Sequence, residues 1–434
     1  VSVRRAGLLA VLALGCQWEV VIGQQTSSLA TDAAARDVSS PADAVDDVVA
    51  LDVPLSHDAA VDAPRDAVVD VPTDRETPID RPATPEGSIT GVALGADVSC
   101  VRRTDGRVWC WGANDRGQLG QGDTQPRAAP ARVEGLDEVI ELAAGSAHVC
   151  ARRRDRSVWC WGANDRGQLG VGSTTTRLTA TRVPGLLADA LALGGEHTCA
   201  LDGSTLSCWG ANDRGQLGDG SRMPRVAPMA LSGSFTAPAA GRAHTCATQN
   251  GSVLCWGAND RGQLGDGSVD ERTSPTAVPD TMGHRVLAAG ADHVCAQGTD
   301  RAVRCWGDGA RGALGDGMTT VRTAATAVTS WNMARLMGAG EGFTCASAGF
   351  SDLRCTGRND RGQLGDMATA DRSTPAPLER LTTARADFIA LAAGRAHACA
   401  LINDGTLWCW GDNVRGQIRA GLGEVVRGPE RVWQ

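Results

Sequence analysis

Lysine and tyrosine are absent from this 434-residue chain, and phenylalanine occurs only four times. All 42 basic residues are therefore arginine, which reads as the mark of a GC-rich genome and carries no recognition chemistry. A Gly-x-Ser-x-Gly elbow, a phosphate-binding glycine loop and a His-Glu-x-x-His pair are missing as well, so hydrolase and nucleotide readings have no anchor. Basic residues form no stripe that could track phosphates, which argues against a nucleic-acid partner.

Charge is instead concentrated in one acidic stretch. Residues 24–88 hold fourteen acidic residues against four arginines, −10 out of the chain's −8, so the rest stands near +2. This stretch is rich in Asp, Ala, Val, Pro, Ser and Thr, and it has no aromatic residue. It cannot bury enough apolar area to offset its ordering entropy, so a disordered acidic linker is expected over 17–88. Ahead of it, Arg4 and Arg5 precede an apolar run from Ala6 to Leu14 and then Gly15 and Cys16. That is the layout of a secretory signal peptide, and the run is too short to span a bilayer. Leu12 to Cys16 resembles a bacterial lipobox, with Leu14 where a smaller residue is usual. Lipidation of Cys16 is expected, an ordinary cleaved signal being the other reading, and Val1 is read as a GTG start.

From residue 89 the chain repeats itself seven times. Trp-Gly recurs at Trp111, Trp161, Trp209, Trp256, Trp306 and Trp410, with Thr356 in the sixth copy. A Pro-x-x-Val-like element follows 19 residues later in every copy, beginning at Pro130, Ala180, Pro228, Pro275, Ala325, Pro375 and Pro429. Each unit offers four short β-like runs, in the second copy Val139 to Ala143, Val149 to Arg152, Ser157 to Trp161 and Ala180 to Val183. Such a unit is a four-stranded blade that buries its faces against its neighbours, and the Pro429 to Val432 element is expected to close the ring beside the first hairpin.

Between the two marks runs Asn-Asp-Arg-Gly-Gln-Leu-Gly, as at Asn114 to Gly120. Together with the Ala-Gly-x-x-His, Asp-Gly and Trp-Gly elements it resembles the regulator of chromosome condensation repeat, over residues 89–434. The resemblance implies an all-β, seven-bladed propeller of four-stranded antiparallel blades, of the secreted bacterial lipoprotein type.

Fifteen cysteines divide into Cys16 and seven pairs: Cys100 with Cys110, Cys150 with Cys160, Cys199 with Cys208, Cys246 with Cys255, Cys295 with Cys305, Cys345 with Cys355 and Cys399 with Cys409. In the fourth pair, Asn250-Gly251 predicts a two-residue type I′ turn. Counting outward, Cys246 faces Cys255 in a non-hydrogen-bonded pair with Cα atoms about 4.5 Å apart, within reach of a disulfide. Copies with the longer spacing suit a three-residue loop such as Asn403-Asp404-Gly405. Seven disulfides point to an oxidising compartment. Zinc is the rival, because His148, His197, His244, His293 and His397 each stand two residues before a cysteine. Val98 and Phe343 replace that histidine while both cysteines remain, so disulfides are preferred. The histidines then read as buried residues bonding neighbouring backbone.

Among other candidates, Arg116, Arg166, Arg214, Arg261, Arg311, Arg361 and Arg415 fill one position in all seven copies, a possible binding ring. Neighbouring Asp115, Asp165, Asp213, Asp260 and Asp360 would neutralise much of it, and a structural role, with Arg bonding loop carbonyls or the next blade, is the preferred reading. Trp109, Trp159, Trp408 and Trp331 vary between copies, as aromatic residues individualising a binding face would, with packing between blades the preferred reading for the first three. Asp219, Asp266 and Asp316 lack the alternating ligands of a calcium loop and read as turn residues.

No catalytic centre, cofactor or metal is expected. The leading reading is a monomeric, non-enzymatic protein-binding propeller, exported and lipid-anchored to the cell envelope on its outer-membrane or periplasmic side, or secreted. The family resemblance adds an inhibitor of secreted β-lactamase-type enzymes, and the central funnel a glycan-binding or hydrolytic propeller. Eukaryotic relatives' guanine-nucleotide exchange is opposed by the export signal, the paired cysteines and the near-neutral propeller.

Overall fold

The computed structural model describes residues 87–433 except 332–333, 349–351 and 383–386. The signal-like segment, Cys16 and nearly all of the acidic stretch lie outside the described residues.

Seven four-stranded antiparallel sheets follow one another along the chain. The first is β1 (Ile89–Leu94), β2 (Val98–Arg103), β3 (Val108–Gly112) and β4 (Arg127–Arg132), running from the axis to the rim. The others occupy 139–187, 190–230, 236–277, 284–327, 334–377 and 388–433. Each blade is contiguous in sequence. The last strand, Val425–Trp433, pairs with Leu407–Asp412 of its own blade, so no strand is shared across the closure. Closure beside the first hairpin is made by packing: the Trp433 ring lies 6.2 Å from that of Trp109 and 6.3 Å from that of Trp111.

A propeller has no single core. Seven apolar clusters fill its seven interfaces, one between each pair of adjacent blades, the last joining Val92, Leu94 and Trp111 to Ala390, Leu401 and Trp433. Each interface takes in a wholly buried tryptophan, and burial of a side chain that size stabilises by ~3 kcal/mol.

At the axis the fold permits only glycine. A Cβ on Gly95 would strike the carbonyl oxygen of Gly145, one on Gly145 that of Gly194, and so on through Gly241, Gly290, Gly340 and Gly394 back to Gly95. The adjoining turns are laced by backbone bonds: Ala96 to Ser146, Ser146 to Gly195, Gly195 to Arg242, Arg242 to Ala291, Ala291 to Gly340, Glu341 to Arg395, and Arg395 to Ala96, at 3.0–3.4 Å. This circuit satisfies N–H groups of the turns between the first two strands of each blade.

The outer edge is managed differently. The residue paired with each second cysteine, such as Ala131 with Cys110, bonds inward, so the residue before it points its backbone outward. Proline stands there in five blades and exposes no N–H. Blades two and five have Ala180 and Ala325 instead, and among the described residues only in these does the preceding blade's loop form an isolated β-bridge, Gln121 to Thr179 and Asp266 to Ala324.

Candidate functional site

Hairpins come first, because they hold the cysteines. Asn250 and Gly251 have φ of 51° and 82°, as a type I′ turn requires, and the register runs Gln249 to Ser252 through Cys246 to Cys255. All seven expected pairs are disulfide-bonded. They join Cys100 to Cys110, Cys150 to Cys160, Cys199 to Cys208, Cys246 to Cys255, Cys295 to Cys305, Cys345 to Cys355 and Cys399 to Cys409. In each pair the Cα atoms stand 4.1 Å apart, directly opposite one another on the second and third strands of a blade. Loops this short gain only about 2–3 kcal/mol per bridge in the chain-entropy model.

The histidines sit between blades and use a hydroxyl, where backbone partners were expected. Nε2 of His148 meets Thr198 Oγ1 at 2.9 Å, His197 meets Thr245 at 2.8 Å, His293 meets Thr344 at 2.8 Å and His397 meets Ser99 at 3.1 Å. Each hydroxyl donates onward to a loop carbonyl, of Gln168, Gln216, Ala313 and Gln417 respectively. The hydroxyl proton is thereby committed, so Nε2 must donate and each ring is the Nε2–H tautomer. Where histidine is replaced the partner changes too: Val98 is followed round the ring by Val149 and Phe343 by Ala398. His244 is the exception. It faces the position of Val294, and neither ring nitrogen has a hydrogen-bond partner. Burial pushes His148, His244 and His397 down to about 3 and His197 and His293 to about 4, so all five are neutral. Among the described residues no cluster of three metal-ligating side chains exists.

The Asn-Asp-Arg-Gly-Gln-Leu-Gly loop joins the third strand to the outer one. Asn114 Oδ1 accepts from Leu119 N at 2.9 Å, and Gln118 Oε1 from Arg116 N at 2.8 Å. The carbonyl of Gln118 then accepts the indole N–H of Trp161 in the next blade at 2.9 Å, a bond repeated by Trp209, Trp256, Trp306 and Trp410. In the sixth blade Trp331 makes a related bond to the carbonyl one residue further along the loop, as Trp111 does to Ile418 O in the first. The sequence placed Trp331 on a binding face, yet it is 2% exposed, fills the space beside Thr356 and donates to Leu314 O at 3.3 Å. Trp109 is buried under Arg103, while Trp159 and Trp408 are half-buried against interface clusters.

Asp219, Asp266 and Asp316 prove to be more than turn residues. Their side chains are 2%, 4% and 8% exposed and pair at 2.8 Å with Arg225, Arg272 and Arg322 of the outer strand. Asp219 also accepts from Ser221 and Asn212, which locks the loop.

Six of the seven repeat arginines reach a carboxylate of the next blade. Arg116 meets Asp165 at 2.9 Å, Arg166 meets Glu196 at 3.7 Å, Arg361 meets Asp412 at 3.9 Å, and Arg214, Arg311 and Arg415 pair with Glu271, Asp371 and Asp115. The ring thus lies on one face, largely self-neutralised, with Arg261 left over. Asp213 and Asp260, expected to neutralise it, accept instead from Gln216 and Gln263. On the same face the axial neck is lined by Leu94, Ala144, Leu193 and Ala240 with the glycine ring, and Arg242, Glu341 and Arg395 stand at its mouth.

One cluster breaks the symmetry inside an interface. Buried Glu141 accepts from Arg152 Nε at 2.6 Å and from Leu191 N of the next blade at 2.9 Å, and burial outweighs Arg152 to push its carboxyl up to about 7. Sequence periodicity hid it, since the matching position is Gly91 in the first blade and Ala190 in the third.

Contiguous blades, a glycine-lined axis and loop-to-next-blade tryptophan bonds define a closed seven-fold repeat propeller. The chain belongs to the RCC1-like domain family, which it matches over residues 10–346, with the Regulator of chromosome condensation (RCC1) repeat matched at 355–401 and 388–417. It is 50% identical over 46 residues to Protein RCC2 homolog of Danio rerio, 11% of this chain and 9% of that one. It is 44% identical over 66 residues to Protein RCC2 of Homo sapiens, 13% of each. The chain thus spans a small part of these relatives. Similar solved structures include Prp20p from Saccharomyces cerevisiae, with TM-score 0.66 and 20% identity over 81% of this chain and 87% of that one. Human WBSCR16 matches with TM-score 0.67 and 22% identity over 76% and 94%. These two likenesses concern the fold alone.

Proposed function

We propose that this chain is a non-enzymatic, protein-binding propeller displayed on a bacterial cell envelope, tethered by a lipid on Cys16 and spaced from the membrane by residues 17–88. Seven closed disulfides suit an oxidising, extracellular setting and so agree with export. One observation carries the binding role. The repeated polar side chains are mostly spent on the scaffold, whereas of nine exposed large apolar side chains among the described residues seven, Met223, Val226, Val269, Met318, Val321, Met367 and Val414, lie on or beside the loops of one face, against Leu187 and Met282 on the other. Exposed apolar side chains grouped on one face of a rigid scaffold favour a protein contact.

Capture by the full exported chain from envelope and secreted fractions tests the role. A specific partner lost on exchanging these loop residues for Ser supports it, and turnover of a sugar or ester substrate would reject the non-enzymatic reading. The tether is checked separately by growth with an alkyne-tagged fatty acid: wild type takes up the label and Cys16→Ala does not. An unlabelled wild-type chain rules the lipid out.

A further inference from the structure

One junction in the arginine ring is unlike the rest. Arg214 and Arg311 pair with Glu271 and Asp371 of the next blade. Those acids share a register with Val321: each directly precedes the arginine, Arg272, Arg322 or Arg372, that faces Gly257, Gly307 or Gly357. The approach is also the same, since Gly262 lies against Arg322 and Thr323 as Gly215 lies against Arg272 and Thr273. Arg261 therefore meets a valine where Arg214 and Arg311 meet carboxylates, and although the fifth blade keeps acids at the positions used by Arg166 and Arg361, Asp292 is taken by Arg242 and Asp308 makes no ion pair with Arg261. The acid used by Arg116, Asp165, is replaced in the fifth blade by Ala310. Arg261 is exposed, and its side chain has no ion pair or hydrogen bond among the described residues.

Exposed apolar side chains stand on the elements around it, beside the carboxylates of Asp260 and Asp308. Val321 is 38% exposed, and Val269 and Met318 on the flanking loops are each 55% exposed. The first two blades carry Asp123-Thr124-Gln125 and Ser173-Thr174-Thr175 in the corresponding loops, so this character belongs to one arc of the rim.

We propose that the junction of the fourth and fifth blades anchors a protein partner that presents one carboxylate flanked by apolar side chains. The guanidinium of Arg261 supplies a planar donor fork for the carboxylate. Val269, Met318 and Val321 exclude water around that pair, and the flexible methionine adapts to the partner's shape. Asp260 and Asp308 beside the junction disfavour a polyanion such as a nucleic acid, which leaves a single carboxylate as the fitting charge. The proposal rests on the protein-binding reading and locates its contact.

The discriminating variant is Val321→Glu, which installs the carboxylate found in the two neighbouring blades and satisfies Arg261 from within. A phage-displayed dodecapeptide library is selected on the immobilised full chain. Enriched peptides are expected to carry Asp or Glu between apolar residues, to bind Val321→Glu and Arg261→Ala about tenfold or more weakly, and to bind Val321→Thr within about twofold. Peptides that bind Val321→Glu as well as wild type overturn this location and leave the binding role standing. A library from which the chain enriches nothing, together with no partner captured from envelope fractions, overturns both.

Discussion

The second and sixth blades occupy equivalent places with different residues. The second uses His148 against Thr198 and Trp161 on the loop before it. The sixth has Phe343 facing Ala398 and Thr356 in place of tryptophan, and it recruits Trp331 from a connector to make the indole bond. What each junction demands is a filled volume with its loop carbonyls satisfied, and the chain meets that demand from whichever strand or connector can reach. Compensation of this kind marks a structural position. At Val321 the exchange is uncompensated, which is why that junction stands out.

Acid should separate the two blades most. Each buried neutral histidine has a folded pKa well below the unfolded value of 6.5, so the unfolded chain binds more protons as pH falls. Stability is then intact above about pH 6.5 and falls by up to ~1.4 kcal/mol per pH unit per histidine toward pH 4. Denaturant melts between pH 7 and 4.5 check this, and exchanging His148 and Thr198 together for the Phe and Ala of the sixth-blade junction should flatten the slope by one histidine's share. An unchanged slope means the rings titrate freely.

Removing the substitute tryptophan comes next. Trp331→Ala empties a wholly buried site and should lower unfolding free energy by about 3–5 kcal/mol, read by chemical denaturation. Adding Thr356→Trp should recover part of the loss, since it rebuilds the arrangement of the second blade. Equal stability of the single and double variants would show that the two positions do not share one space.

A smaller effect sharpens the histidine comparison. Val294→Thr gives His244 the hydroxyl its counterparts have, with Gln263 O placed to accept from it, and should stabilise by about 1 kcal/mol. Val149→Thr faces Val98 and should destabilise by a similar amount, because its hydroxyl finds no imidazole. Thermal shifts of opposite sign are the expected result. The smallest change is Arg116→Ala, which removes an exposed ion pair and should shift stability by less than about 1 kcal/mol.

Much of the fold is legible along the chain because its marks are local. Asn250-Gly251 and the cysteine spacings set hairpin registers, and a fixed interval between Trp-Gly and the outer strand counts the blades. The partners of the histidines are not legible, because Ser99 and His397 lie 298 residues apart and meet only when the ring closes. Trp331 carried no mark either, being outside the repeat. Asp219, Asp266 and Asp316 resembled ordinary turn residues because their arginine partners stand on a different element.

By itself, then, the sequence settled the number of blades, the hairpins and the cysteine partners, since neighbours along a strand are held by backbone geometry. Tertiary structure alone decided how blades meet: which carbonyl each indole finds, how the axial backbone circuit closes and which arginine is left over. Those contacts join groups on different elements, mostly about 30 to 60 residues apart along the chain and about 300 apart where the ring closes, and their identity follows from the volume and charge each blade presents to the next.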